Sequence, residues 1–323
     1  MTRTIQIQAP GGPEAMNIVE VSLGKPGPGE ALVRHHAIGL NYIDVYFRSG
    51  TYPAAAYPCT LGMEAAGVVE AVGEGVSHVK PGDRVAYAGQ PMGAYCDARV
   101  MPALPLIRLP KSISFETGAA MMLKGMTVQY LFRRTANLQK GHTILFHAAA
   151  GGVGLIAMQW ARLMGVTTIG TAGSDEKCAL AKAHGADHVV NYAREDFVSR
   201  VKEITNGRGV DVVYDSIGKD TFDKSLQSLR KYGLMVSFGN ASGKVPPFDL
   251  SVLQGNLFLT RPSLMPYTAT RPELESTAGE LVEVVSSGKV QIKVDQSYAL
   301  TDVAQAHRDL EARKTTGSTV LVP

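Results

Sequence analysis

The stretch Leu145-Phe146-His147-Ala148-Ala149-Ala150-Gly151-Gly152-Val153-Gly154 constrains this chain more than any other. An apolar strand runs into a turn with almost no side chains, and an apolar helix follows. From Val153, apolar residues recur at Ile156, Ala157, Trp160, Leu163 and Met164, which is helical spacing. Gly165 closes that helix, and the β-branched run Val166-Thr167-Thr168-Ile169 opens the next strand. Strand, glycine turn, helix and strand together let backbone N–H groups and the positive helix end approach a pyrophosphate. A dinucleotide coenzyme is therefore the expected ligand.

The tip of the second strand says which dinucleotide. A site for the unphosphorylated coenzyme places Asp or Glu about 20 residues past the glycines, on the ribose hydroxyls. Here the strand ends Gly170-Thr171-Ala172-Gly173-Ser174 without an acid. No carboxylate at that tip repels a 2′-phosphate. Ser174 supplies a hydroxyl, and Lys177 supplies a positive charge one helical turn later. The pair reads as an NADPH pocket. Asp175 argues the other way, but it sits just inside the next helix, where acids favour the N-terminus. Ser174 is also a natural helix N-cap, and the two roles are compatible.

The 323 residues are enough for about two domains. Hydrophobic residues make up 45% and glycines number 34, enough for large cores with many turns. A net charge of +3 is too small to argue for nucleic acid or an anionic membrane. Cys59, Cys96 and Cys178 are scattered and show neither a disulfide framework nor metal spacing, which points to a reducing cytoplasm. The first residues lack the apolar core of a signal peptide, and no run is long enough to span a bilayer.

Residues 1–124 are rich in Gly, Pro and short β-type runs, with strands expected over 31–36, 67–73 and 84–87. Residues 125–262 alternate strand and helix. Strands are expected at 188–191, 210–215 and 234–238, and helices at 175–184, 195–205 and 221–231. Such alternation predicts a doubly wound parallel sheet with helices on both faces. Leu257-Phe258-Leu259-Thr260 reads as an edge strand, and pairing across a two-fold axis there would give a homodimer. Residues 263–323 break the pattern, with helices over 274–287 and 301–313 and a strand over 319–322. They are expected to return to the first domain, leaving the active site in the cleft between the two.

These residues resemble the medium-chain dehydrogenase/reductase superfamily, and within it the zinc-independent, zeta-crystallin-like quinone oxidoreductases. The resemblance spans nearly the whole chain. Its most specific part is Gly141, Leu145, Ala149 to Gly154, Gln159 and Arg162. Further matches are Gly39-Leu40-Asn41-Tyr42-Ile43-Asp44, Leu61-Gly62-Met63-Glu64-Ala65-Ala66-Gly67 and Lys80-Pro81-Gly82-Asp83-Arg84-Val85. It implies a Rossmann domain inserted in a β-rich, GroES-like catalytic domain. The zinc-dependent alcohol dehydrogenase branch needs a thiolate where Asn41 stands and an imidazole where Met63 stands. Neither an amide nor a thioether serves tetrahedral Zn²⁺ well. Cys96 stands alone where that branch has four cysteines. Without a Lewis acid, quinones or activated enones are the expected acceptors, because their product anions are delocalised.

The resemblance also implies site residues. Gly152 and Val153 would face the pyrophosphate, and Gly173, Ser174, Lys177 and Tyr192 the 2′-phosphate. Phe238, Gly239 and Asn240 would flank the nicotinamide. Thr127 and Tyr130, at the opening of the crossover helix, would contact the coenzyme too. Asn41, Tyr46 and Tyr52 would serve the acceptor, donating hydrogen bonds to its developing anion and stacking on its plane. An unperturbed tyrosine has a pKa of about 10, so none is an obvious general acid. Direct hydride transfer is expected, with the proton from Tyr52 or water. Lys124 and Arg133-Arg134 read as solvated helix surface, His147 as a packed strand residue, and Asp215 as a binder of turn amides. An enone or alkenal reductase is the nearest alternative function. A non-catalytic NADPH-binding protein, crystallin-like or RNA-binding, is the more distant one, although no aromatic-basic stripe for RNA is present.

Overall fold

A computed structural model describes residues 1–323. The chain divides into two compact units. One holds Met1–Met126, Leu264–Gly288 and Ile292–Pro323; the other holds Thr127–Ser263 and Lys289–Gln291.

The first unit begins with β1 (Thr2–Ile7), β2 (Asn17–Val21), β3 (Glu30–Leu40), α1 (Tyr42–Arg48), β4 (Cys59–Thr60) and β5 (Glu64–Val72). It continues with β6 (Arg84–Ala88), β7 (Ala98–Pro102), β8 (Ile107–Arg108) and α2 (Phe115–Tyr130), whose last turn passes into the second unit. The expected strands fall on β3, β5 and β6. β3 alternates exposed and buried residues in its first half and is fully buried from Ala37 to Leu40, so it can serve as the centre of a sheet. It pairs antiparallel with both β5 and β7. Ile5, Ile7, Val33, Ile38, Leu61, Val85 and Tyr95 form much of this unit's core.

The second unit contains β9 (Thr143–Phe146), α3 (Gly152–Leu163), β10 (Thr167–Ala172), α4 (Asp175–Ala183) and β11 (His188–Asn191). α5 (Phe197–Ile204), β12 (Val210–Asp215), α6 (Phe222–Gln227), β13 (Leu229–Ser237) and β14 (Phe258–Thr260) complete it. The six strands are all parallel in the order β11-β10-β9-β12-β13-β14. This is the expected doubly wound sheet. The chain leaves β9 toward one side and returns to build the other from β12, so the carboxyl ends of β9 and β12 mark the switch point where such sheets bind ligands. Ser174 caps α4 by accepting the Lys177 N–H at 3.3 Å, and Asp196 caps α5 by accepting the Ser199 N–H at 3.0 Å.

Two expectations need correction here. The helix expected over 221–231 ends at Gln227, and β13 starts at Leu229 instead of 234. Leu229 pairs with Val210, and the pairing then shifts register before Leu234 joins Val212, near the positive φ of Tyr232. The segment Leu-Arg-Lys has good helix propensity, but the ladder contact overrides it. α2 also starts at Phe115, well before Thr127 and Tyr130, which were expected at the opening of a helix. The hydroxyl of Ser114 accepts the Thr117 N–H at 3.1 Å and sets its N-terminus.

The remaining elements are α7 (Leu264–Tyr267), α8 (Arg271–Ser286), β15 (Val294–Ala299), α9 (Val303–Glu311) and β16 (Ser318–Val322). β16 lies antiparallel to β3, with Val320 opposite Gly39, and β15 lies parallel to β16. α8 starts with a capping box between Thr270 and Glu273.

α9 also closes a buried polar chain. Arg48 holds Glu311 through two hydrogen bonds of 2.9 and 2.8 Å and donates to His307 Nδ1 at 3.0 Å. Tyr95 donates its only proton to Asp44 Oδ2 at 2.9 Å, so the His307 Nε2–H must be the donor to the Tyr95 oxygen at 3.0 Å. Burial, then the Arg48 charge, push His307 down to about 3, which keeps the ring neutral. Burial pushes Asp44 up to about 7, against the hydrogen bonds from Asn41 and Tyr95 and the Lys124 charge, with Glu64 adding to the rise.

The raised Asp44 carboxyl sets a pH dependence. Its stabilising contribution is complete below the ordinary value of 3.8 and is lost as pH rises toward about 7. The stability of the wild type relative to Asp44→Asn is therefore expected to fall between pH 4 and 7 and then level off. Urea unfolding of both proteins across that range checks it, and a flat difference would refute the assignment.

Candidate functional site

The glycine-rich turn after β9 lies at the switch point of the parallel sheet. Gly151 precedes α3 as an N-cap without a side-chain hydrogen bond, so no capping side chain occupies the N–H groups of the first turn, which carries Gly152 and Val153. Both residues are half-buried. Close backbone approach dictates the glycine that follows. A Cβ at Gly154 would lie 2.4 Å from the Ala148 carbonyl oxygen and 2.6 Å from Ala149. The uncovered N–H groups and the helix dipole suit an anion.

Next along the same edge is the tip of β10. Ser174 is half-buried and caps α4, and Lys177 is half-buried on the first turn of that helix. Tyr192 is 46% exposed, and its hydroxyl lies over Gly173, where a Cβ would come within 2.6 Å. The structure thus brings Gly173 and Tyr192 together and places Ser174 and Lys177 on one turn. Asp175, the acid that argued against a 2′-phosphate, is already engaged. The Asn191 amide donates to it at 2.7 Å, and Arg194 pairs with it at 2.6 Å. Sequence reasoning missed both partners because their link to Asp175 forms only when β11 lies beside β10.

Phe238, Gly239 and Asn240 follow β13. The half-buried Phe238 ring stands 5.9 Å from that of Phe146. A Cβ at Gly239 would lie 2.5 Å from the Ser216 carbonyl oxygen, so the backbone passes where only glycine fits. The Asn240 amide, in the orientation its neighbours require, accepts from Arg261 at 2.8 Å and donates to the Gly239 carbonyl at 3.0 Å. Arg261 also reaches the Ser237 carbonyl at 3.2 Å, and sequence reasoning gave it no role. Thr127 and Tyr130 close α2 instead of opening a helix, and Leu131–Thr135 continue as a single π-helical turn.

In the first unit, Asn41 is the N-cap of α1, Tyr46 lies in that helix and Tyr52 just beyond it. The rings of Tyr46 and Tyr52 stand 4.9 Å apart, Tyr42 lies 5.4 Å from Tyr46, and the Tyr52 N–H donates to the Tyr46 carbonyl at 3.0 Å. Asn41 is buried and held at both ends. Its backbone N–H donates to Asp44 at 2.9 Å, and its side-chain amide donates to Glu64 Oε2 at 2.7 Å.

Glu64 is wholly buried. Its other oxygen accepts the Leu123 N–H at 2.7 Å, and the Lys124 ammonium stands 3.6 Å from Oε2. Burial raises the Glu64 carboxyl above its ordinary value despite Lys124 and these donors. Lys124 is 7% exposed and donates to the Leu40 carbonyl at 3.2 Å, so it is not a solvated helix residue. Ala119 to Met122, Met126, Val128 and Tyr130 are all buried, and a helix apolar all round leaves its lysine no solvent face. That run of apolar residues was the signal available in the sequence. Asn41 is linked to this ion pair through its side-chain amide. No group of three or more His, Cys, Asp and Glu residues could hold a metal ion.

Two family profiles match the chain. The alcohol dehydrogenase GroES-like domain covers residues 27–140, and the family described as zinc-binding dehydrogenase covers residues 152–284. A quinone oxidoreductase of Pseudomonas aeruginosa is 51% identical over 325 residues, spanning 100% of both chains. The crystal structure of Escherichia coli quinone oxidoreductase complexed with NADPH is 48% identical, with a TM-score of 0.98 over 100% of both chains. A 2-haloacrylate reductase from a Burkholderia species is 43% identical over 332 residues, spanning 100% of this chain and 99% of that protein.

Breaking a buried ion pair from one side costs about 3–5 kcal/mol, because the remaining charge is left uncompensated. Lys124→Met is expected to lose stability of that order, and Lys124→Met combined with Glu64→Gln to recover more than half of it. Equilibrium urea unfolding of the three proteins measures this; a double variant no more stable than Lys124→Met would contradict the pairing.

Proposed function

The chain belongs to the quinone oxidoreductase family of medium-chain dehydrogenases/reductases, and on that premise we propose that it reduces quinones with NADPH. The observation that carries this reading is the side-chain-free turn at the switch point of the sheet, beside a β10 tip whose nearby acid is already paired. Bound there, NADPH supplies the hydride. Gly152 and Val153 present their N–H groups to the pyrophosphate. Ser174 and Lys177, with Tyr192 over Gly173, hold the 2′-phosphate, while Arg194 and Asn191 offset the charge of Asp175. Phe238, Gly239 and Asn240 flank the nicotinamide, and Thr127 and Tyr130 add coenzyme contacts.

On the first unit, Tyr46 and Tyr52 offer two phenol rings, tilted 58° to each other, to a planar acceptor. Glu64 fixes one Asn41 amide hydrogen, and the second meets the Gly39 carbonyl only at 3.5 Å. That second hydrogen is the donor for an acceptor oxygen as it becomes anionic. Catalysis then rests on orientation and oxyanion stabilisation, with the proton taken from Tyr52 or water. A second reading, reduction of an activated alkene at the same site, has the 2-haloacrylate reductase in its favour. NADPH oxidation measured with no acceptor, with a quinone panel and with an enone panel tests both; no acceptor-dependent oxidation would leave only a coenzyme-binding protein.

Tyr52→Phe and Asn41→Ala are expected to lower kcat for quinone tenfold or more, on the order of one lost oxyanion donor, with NADPH affinity within about twofold. Lys177→Ala should weaken NADPH binding without weakening NADH binding, since only the former carries the 2′-phosphate. Unchanged quinone kinetics in the first two variants, or equal losses for both coenzymes in the third, would overturn these roles.

The same reading includes a homodimer. β14 is an edge strand with its outer backbone groups unpaired in the sheet, and in it Phe258 is 60% exposed and Leu259 half-buried. Pairing of two copies along this edge would make a continuous sheet and cover these side chains. Sedimentation should find a dimer for the wild type and a monomer for Phe258→Asp; a monomeric wild type would refute it. A reducing cytoplasm suits the three free cysteines, and no helix of the chain is long and apolar enough to cross a membrane.

A further inference from the structure

His147 is 1% exposed and stands immediately before the phosphate turn. Its ring is fixed at both nitrogens. Ser225 donates its only proton to Asp215 Oδ2 at 2.9 Å, so the His147 Nε2–H must be the donor to the Ser225 oxygen at 2.9 Å. Nδ1 is then an acceptor, and it takes the Thr171 hydroxyl proton at 2.9 Å. Asp215 is fixed in turn. The N–H groups of Ile217 and Gly218 reach its Oδ1 at 2.8 and 2.9 Å, and the Thr221 hydroxyl reaches its Oδ2 at 2.7 Å. Burial lowers the His147 pKa against the pull of Asp215, which favours the neutral ring that this pattern of donors requires.

The next residue is strained. Ala148 has a φ of 54°, in the left-handed region that a Cβ disfavours. Its neighbours on both sides are pinned by Thr171. The hydroxyl of Thr171 holds the His147 ring, and its carbonyl accepts the Ala149 N–H at 3.0 Å. The His147 N–H meanwhile donates to the Tyr214 carbonyl at 3.1 Å. Ala148 therefore spans two fixed points, and its carbonyl accepts the Gly151 N–H at 2.9 Å to form the turn itself.

We propose that His147, anchored between Thr171 and the Ser225–Asp215 pair, is a positioning residue that holds Ala148 left-handed and so preforms the pyrophosphate turn. It touches neither coenzyme nor acceptor; it acts through the backbone of Ala148. The inference rests on NADPH being the coenzyme of this turn.

The test is a double-mutant comparison of NADPH dissociation constants by calorimetry, with the full-length protein. His147→Leu is introduced both in the wild type and in the Ala148→Gly variant, because a glycine adopts the left-handed conformation without a clamp. In the wild type, H147L is expected to weaken NADPH binding about tenfold, about 1.4 kcal/mol. In the A148G variant the same substitution should cost less than threefold. A purely structural role would lower the melting temperature in both backgrounds and leave the loss of affinity equal. Equal losses, or no loss at all, overturn the proposal. If H147L does not fold, Thr171→Val carries the same comparison, because it keeps the volume and the carbonyl and removes only the hydroxyl donor. A wild type that binds no NADPH would defeat the coenzyme assignment itself, and this inference with it.

Discussion

The second unit is organised by the closeness of its backbone at Gly154. With the Ala148 carbonyl 2.4 Å from where a Cβ would stand, α3 can begin directly beneath the turn that leaves β9. That approach puts the helix N-terminus at the switch point without a capping side chain. The neighbouring small residues follow from the same geometry. A Cβ at Gly170 in β10 would meet the Ala149 side chain at 2.6 Å, so the strand beside the turn must also be bare there. A turn of bare backbone at a helix N-terminus is a by-product of tight packing between a helix and a parallel sheet.

Each unit also buries charge, and each does so by a different route. The second unit satisfies Asp215 with neutral donors: two amides and two hydroxyls. The first unit keeps Glu64 opposite Lys124 and raises Asp44 toward neutrality through burial. Buried carboxylates without such partners would carry a large desolvation cost. In the first unit the buried acids hold a proposed site residue directly, and in the second the main chain of the buried acid does so. Asp44 and Glu64 hold Asn41, and the Asp215 carbonyl accepts the Phe238 N–H at 2.8 Å. The polar interiors thus serve orientation.

Local patterns were readable where one element carries its own signal. The 3.6-residue period after Val153, the β-branched run before Gly170 and the cap at Ser174 needed no tertiary information. The doubly wound sheet followed from alternation alone. Legibility failed where a partner distant in sequence decides the outcome. Leu229 is drawn into a strand by Val210, Lys124 is turned inward by Glu64, and Arg194 meets Asp175 only after β11 joins β10. Arg261 beside Asn240 is another instance, since nothing local ties two residues that far apart.

The amino-acid sequence by itself determined the fold class and the kind of ligand. Small residues at a strand-to-helix turn and the lack of an acid at the end of β10 are covalent facts, and steric and electrostatic rules act on them locally. The tertiary structure decided which charges are compensated and which donors remain to meet a substrate. Whether the Asn41 amide is committed to Glu64, whether Asp175 still repels a phosphate and whether His147 is a neutral clamp depend on distances between segments far apart in the chain. Hydrogen bonds and ion pairs fall off within a few ångströms, so those outcomes exist only once the segments have been packed together.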